Sequence, residues 1–79
     1  MDRRGYSLRI IRANEQADPS SIGVVLGKIC IKQEIPASDV ATYFKVSRMT
    51  VYNWFSGASK PQKRLQEYIQ QIIKKFSDA

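Results

Sequence analysis

Seventy-nine residues make one domain at most, near the lower size at which a single apolar core holds a fold without staples. One cysteine and no histidine exclude a disulfide within the chain and any cysteine–histidine zinc site. A formal charge of +6 is large for so short a chain and points toward an anionic partner.

Residues 1–5 read as a flexible basic tail. The opening "MDRRGYSLRIIR" has charges where a signal peptide would carry its apolar stretch. Over 6–17, "YSLRIIRANEQA", Tyr6, Leu8 and Ile10 alternate as in a strand, while Leu8 and Ile11 also share one side of a helix. A short helix starting at Ser7 is the preferred reading.

"DPSSIGVVLGKICIKQE" makes a clearer helix, with Asp18 as its cap and Pro19 in the first turn. At about 100° per residue, Ile22, Val25, Leu26, Ile29 and Cys30 gather on one face. Val24 and Ile31 point the other way, with Gly23 and Gly27 one turn apart between the two faces. Such a helix wants a second partner at close range. The N-terminal segment is the preferred one, through Tyr6, Leu8, Ile10 or Ile11, with a subunit interface as the rival. Cys30 lies in an apolar run and reads as a buried reduced thiol. The longest apolar runs, "VVL" and "ICI", fall far short of a membrane span, so a soluble cytoplasmic protein is expected.

"PASDVATYF" predicts a further helix with Val40, Ala41 and Phe44 inward, and "SRMTVYNWF" another, capped by Ser47. The last helix is expected to open at Ser59 or Lys60 with Pro61 in its first turn. Its inward residues would be Leu65, Tyr68, Ile69, Ile72, Ile73 and Phe76, at the spacing of one helical face. The predicted fold class is all-α: four to five short helices around one core.

The joint "TYFKVSR" must end one helix and begin the next at a steep angle, as in a helix-turn-helix. The turn needs a residue at positive φ, and that place falls to Lys45 instead of glycine. With Val40, Phe44, Val46, Val51 and Trp54 inward, the outer face of helix 48–55 is Arg48, Met49, Tyr52 and Asn53. An arginine fork suits guanine, asparagine pairs with adenine in two places, and an apolar group meets the thymine methyl. Between Val40 and Gln66 no acid occurs, yet Lys45, Arg48, Lys60, Lys63 and Arg64 all fall there. Arg3, Arg4, Arg9 and Arg12 form a second basic group. Basic clusters without acid neighbours are the footprint of a nucleic-acid binder, although a solvated basic face looks the same by charge alone.

"DVATYFKVSRMTVYNWFSG", followed by Lys60-Pro61, resembles the lambda-repressor-like, Cro-type helix-turn-helix family, especially small phage regulators. Val46, Ser47, Arg48, Thr50, Val51, Trp54, Gly57 and Pro61 carry the resemblance, with Ala41 and Ile35 upstream. Lys45 in place of the turn glycine and Pro36 in place of a hydroxyl cap are the departures. The resemblance implies a DNA-binding domain over 20–76, leaving 1–19 as a basic N-terminal arm with a short helix and 77–79 as a tail. It also implies that helix 48–55 enters the major groove while the preceding helix lies across the backbone. Base reading then falls to Arg48, Met49 and Asn53, with Tyr52 beside them. Backbone contacts fall to Ser38, Lys45, Ser47, Thr50, Tyr52 and the loop from Ser56 to Lys60. Ser47 is a helix cap in any case, and Thr50 serves equally as packing. Lys63 and Arg64 sit at a helix start, where the helix dipole disfavours positive charge, and so suit a phosphate partner.

The function expected is a sequence-specific, double-stranded-DNA-binding transcriptional regulator such as a repressor, acting in a bacterial cell or a phage-infected host. The alternative is an interaction or assembly module on the same fold, an antitoxin or DNA-packaging adaptor. With no histidine, no glycine-rich phosphate loop and no pair of carboxylates placed for acid–base work, no enzyme is expected. No cofactor, metal or membrane partner is expected either. Helix-turn-helix readers usually work as dimers on two-fold sites, so a homodimer would be built through the last helix or the N-terminal segment.

Overall fold

The computed structural model describes residues 6–77. These form five helices: α1 (Leu8–Gln16), α2 (Ile22–Lys32), α3 (Ala37–Phe44), α4 (Arg48–Ser56) and α5 (Lys63–Ser77). The fold is all-helical, as the apolar periodicities predict. The basic residues Arg3 and Arg4 lie outside the described residues. No helix among the described residues is long and apolar enough to cross a membrane.

α2 is the hub, packed against α1, α4 and α5, while α3 packs against α4. The burial of α2 departs from the face its periodicity predicts. Val24, Leu26, Cys30 and Ile31 are buried along with Gly23 and Gly27, whereas Ile22, Val25 and Ile29 are only half-buried. The glycines explain the shift. A β-carbon at Gly23 would stand 2.8 Å from the Trp54 carbonyl oxygen, and one at Gly27 would stand 2.8 Å from Phe55 Cγ. A search for apolar side chains misses a contact surface made of missing side chains. Trp54 and Phe55 of α4 fill the glycine notch, joined at Gly27 by Asn14 of the N-terminal segment.

α1 closes the other side. Ser7, expected as the first residue of the helix, is its cap instead, accepting a hydrogen bond from the Ile10 N–H. Ile11 is buried but Leu8 is exposed. Tyr6 is buried with its ring centroid 6.0 Å from that of Phe55, and its hydroxyl donates to the Ile35 carbonyl at 2.7 Å. Asn14, to which the sequence assigned no role, is the one buried polar residue among the described residues. Its amide nitrogen donates to the carbonyls of Val24 (3.0 Å) and Phe55 (2.7 Å), joining α1, α2 and α4 at one point. Residues 6–16 thus share the core of the remaining helices.

Gly27→Ala is expected to destabilise the protein by about 1–3 kcal/mol, the usual cost of overpacking. Its new methyl would meet both Phe55 and the Asn14 amide, 2.6 Å away. On an open helix the same change would stabilise by about 1 kcal/mol, so a thermal melt tests the sign.

Two boundaries and one inward residue differ from expectation. Asp18 does not cap α2; its carboxylate accepts from the N–H (2.9 Å) and hydroxyl (2.7 Å) of Ser20, closing a turn. Those bonds hold its pKa below the ordinary value, and Ser21 takes the cap position. α5 opens at Lys63 instead of Ser59 or Lys60, because the Ser59 N–H bonds back to the Asn53 carbonyl at 3.2 Å. That bond ties the loop to the end of α4, and Pro61 is buried within it. Along α5, Ile69 is buried and Leu65, Ile72 and Ile73 pack on the core, but Tyr68 is 55% exposed. It stands at the edge of the apolar arc, roughly 80° from its centre by helical geometry.

Candidate functional site

The joint between α3 and α4 is built from backbone chemistry. Lys45 ends α3 at φ 58° and ψ 46°, in the left-handed region. Its N–H bonds the Thr42 carbonyl at 3.3 Å, and the Val46 N–H bonds the Ala41 carbonyl at 2.9 Å. This paired closure is the Schellman arrangement, which satisfies carbonyls the helix end would otherwise leave open. Val46 then folds against the core. Glu34 repeats the device after α2, at φ 59°, with the Ile35 N–H bonding the Cys30 carbonyl at 2.8 Å. A β-carbon in this region costs about 1 kcal/mol. Lys45→Gly should therefore raise stability by up to about 0.6 kcal/mol, after allowing for the entropy of an unfolded glycine. Urea denaturation measures it, and a loss of stability would mean that the lysine makes a contact worth more than its strain.

Ser47 caps α4: its hydroxyl accepts from the Thr50 N–H at 3.1 Å and shares a 3.0 Å hydrogen bond with the Thr50 hydroxyl. The helix ends at Gly57, at φ 80°, beside Ala17 and Val24. Between these ends Val51, Trp54 and Phe55 are buried, which fixes the helix about its own axis. Phe44 meets Trp54 edge-on, with ring centroids 5.9 Å apart.

That fixed rotation sets the front. Arg48 is exposed and Met49 is 66% exposed, while Asn53 is half-buried at the far end of the helix. Tyr52 differs from the outward position expected of it: half-buried, it packs on the core beside Tyr6.

A basic cleft of about 350 Å³ lies beside this front, lined by Lys45, Thr50, Ser59, Lys60, Gln62 and Arg64, with Trp54 and Leu65 behind. It brings together four residues singled out from sequence: Lys45, Thr50, Lys60 and Arg64. Arg64 is oriented by a 3.0 Å bond from its Nε to the Gln62 side chain. Ser59 lies in the loop singled out from sequence, whereas Gln62 was missed, because its place in the cleft follows from the extended loop before α5. Lys63 is exposed at the start of α5, outside the cleft, and Ser38 is exposed in the first turn of α3. Ser56 spends its hydroxyl proton on the Asn53 carbonyl at 3.3 Å, so in this rotamer it offers no donor to an anion.

No protein-family model, curated protein or solved structure matches this chain. The chemistry of the site stands on its residues alone.

Cations, hydroxyls and amides are the side chains that could hold an anion. The cleft and the front of α4 carry cations, hydroxyls and amides with no carboxylate among them. Among the described residues no group of three or more histidine, cysteine or acidic side chains gathers as a metal site would. Burial pushes the Cys30 thiol up to about 12, so it stays protonated and unreactive at neutral pH.

Proposed function

We propose that the protein is a sequence-specific binder of double-stranded DNA, acting as a transcriptional regulator of phage or bacterial origin. The observation that carries this reading is the acid-free front of α4. Its back is locked by Val51, Trp54 and Phe55, while Arg48 and Met49 stand in solvent. The helix-turn-helix resemblance across the α3–α4 joint supports the same reading, as does the left-handed Lys45 at the turn.

In this proposal α4 lies in the major groove. Arg48 offers its fork to guanine, Asn53 pairs with adenine and Met49 covers a thymine methyl. Tyr52 contributes its exposed part. Lys45, Lys60 and Arg64 neutralise one strand's phosphates from the cleft, joined by Lys63. α3 crosses the backbone with Ser38 nearest to it. Phosphate contacts set position and base contacts set sequence, so the two sets have separable signatures.

Affinity for duplex DNA should fall steeply with salt. If the four cations Lys45, Lys60, Lys63 and Arg64 each displace one counterion, the log–log slope is about −3 to −4 per monomer. One sequence should be preferred about a hundredfold or more over random duplex. Fluorescence anisotropy on a sequence selected from a random pool, and on a scrambled duplex, measures both. A flat salt response or equal affinity for every sequence would refute the reading.

A further inference from the structure

Three surface cavities lie in line between α3 and α5, each sharing residues with the next. α3 packs mainly on α4 and α5 on α2, which leaves a trough between the two helices. Its first part, of about 270 Å³, has Leu26 and Cys30 as floor, Val40 on the α3 wall, and Ile72 and Phe76 on the α5 wall. Tyr43 and Phe44 carry it into a second part of about 210 Å³, where Leu65 and Tyr68 form the α5 side. Phe44, Lys45 and Leu65 then carry it into the basic cleft. Tyr43 stands midway, 66% exposed and held edge-on against Phe44 with ring centroids 4.9 Å apart. From Leu65 to Phe76, α5 runs roughly 16 Å along the trough at about 1.5 Å per residue.

We infer that this trough docks an amphipathic helix of a partner protein, apolar along one face and acidic at the end that reaches the basic cleft. The lining changes along its length as such a helix requires. Val40, Ile72 and Phe76 make one end apolar, whereas the other gathers Lys45, Lys60 and Arg64 with no carboxylate. Over the whole trough those three cations and Lys75 face one acid, Asp39. That balance selects a negatively charged occupant, and the apolar end excludes one made of phosphates alone. Both walls are helices, whose backbone groups are bonded along their own axes. An extended peptide would find no sheet edge there among the described residues, while a helix brings its own backbone bonds. Three helical turns match the roughly 16 Å of α5, and residues at i, i+3, i+4 and i+7 would meet the apolar floor. If the protein reads DNA as proposed, the docked helix competes with duplex for Lys45, Lys60 and Arg64, but docking itself does not depend on that reading.

The test contains no DNA. A displayed library of random peptides of about 16 residues, enough for four helical turns, is selected on the immobilised full chain. The enriched sequences should carry apolar residues at helical spacing, with aspartate or glutamate gathered at one end. A synthetic copy of the most enriched peptide then serves as the probe in fluorescence anisotropy. Tyr43→Ala should weaken its binding at least about tenfold, as loss of a central aromatic anchor does. Circular dichroism should show a melt near that of the parent, since the ring is mostly in solvent. Lys60→Glu combined with Arg64→Glu should also weaken binding. A peptide whose acids are replaced by lysine should bind this double variant better than it binds the parent. That charge exchange decides the matter should Tyr43→Ala melt early. Enrichment of no sequence, or of sequences without an acidic end, overturns the proposal. A bound peptide indifferent to both Tyr43→Ala and the charge exchange overturns it in favour of another face.

Discussion

Trp54→Ala is expected to cost about 3–5 kcal/mol, the usual loss when a large aromatic is cut from a packed core. A domain of this length has a total stability of about 4–12 kcal/mol at the common per-residue value, so the variant should lose from about a quarter of that stability to all of it. Trp54 is 3% exposed, its ring meets Phe44, and its backbone fills the notch at Gly23. Truncation opens a void where α2, α3 and α4 meet, and α4 loses the side chain that fixes its rotation. Trp54→Phe, which keeps an aromatic ring, should lose much less. Thermal melting by circular dichroism decides the matter. A cooperative melt of Trp54→Ala near the parent temperature would mean that the α3–α4 joint does not depend on this ring.

The parts of the fold that could be read from the sequence are those set by local chemistry. Ser47 caps a helix because a hydroxyl can reach the N–H three residues on, and it does so. Lys45 falls in the left-handed region because the chain must reverse there between Phe44 and Val46, whatever residue occupies the place. Trp54 and Val51 are inward because the helix period leaves them no other side.

What escaped is nonlocal. Asn14 is one polar residue in a polar stretch, and only folding brings the Val24 and Phe55 carbonyls to its amide. Gly23 and Gly27 showed as a notch, but the partner named for it was the N-terminal segment where α4 fills most of it, since a glycine carries no complementary shape in sequence. The start of α5 moved because a single bond from Ser59 to the end of α4 outweighed the helix-opening signal of a proline. The same displacement created the basic cleft. Lys60 and Arg64 were therefore legible as cations, and their convergence with Lys45 and Thr50 was not.

Reading and holding should separate under mutation. Arg48→Ala and Asn53→Ala should leave the melt near that of the parent protein, because neither side chain belongs to the core cluster around Val51 and Trp54. Each should cost about 1–3 kcal/mol on the preferred duplex, the worth of a bidentate base contact. The double variant should lose about 2–6 kcal/mol if the two contacts act independently, since separated sites add. On random duplex the loss should be small, and confined to the charge removed at Arg48. Lys60→Ala and Lys63→Ala should behave in the opposite way. Each weakens binding by a similar factor on every sequence and makes the salt slope shallower by about 1. The comparison needs each variant on both duplexes across a salt series, so that the slope and the sequence preference come from the same data. Lys60 lies in the cleft and Lys63 beside it, so the two lysines share one role while standing apart from the base-facing pair. Equal losses on both duplexes for Asn53→Ala would remove α4 as the reader. Its exposed front, from Arg48 to Asn53, would then be a surface for a protein partner.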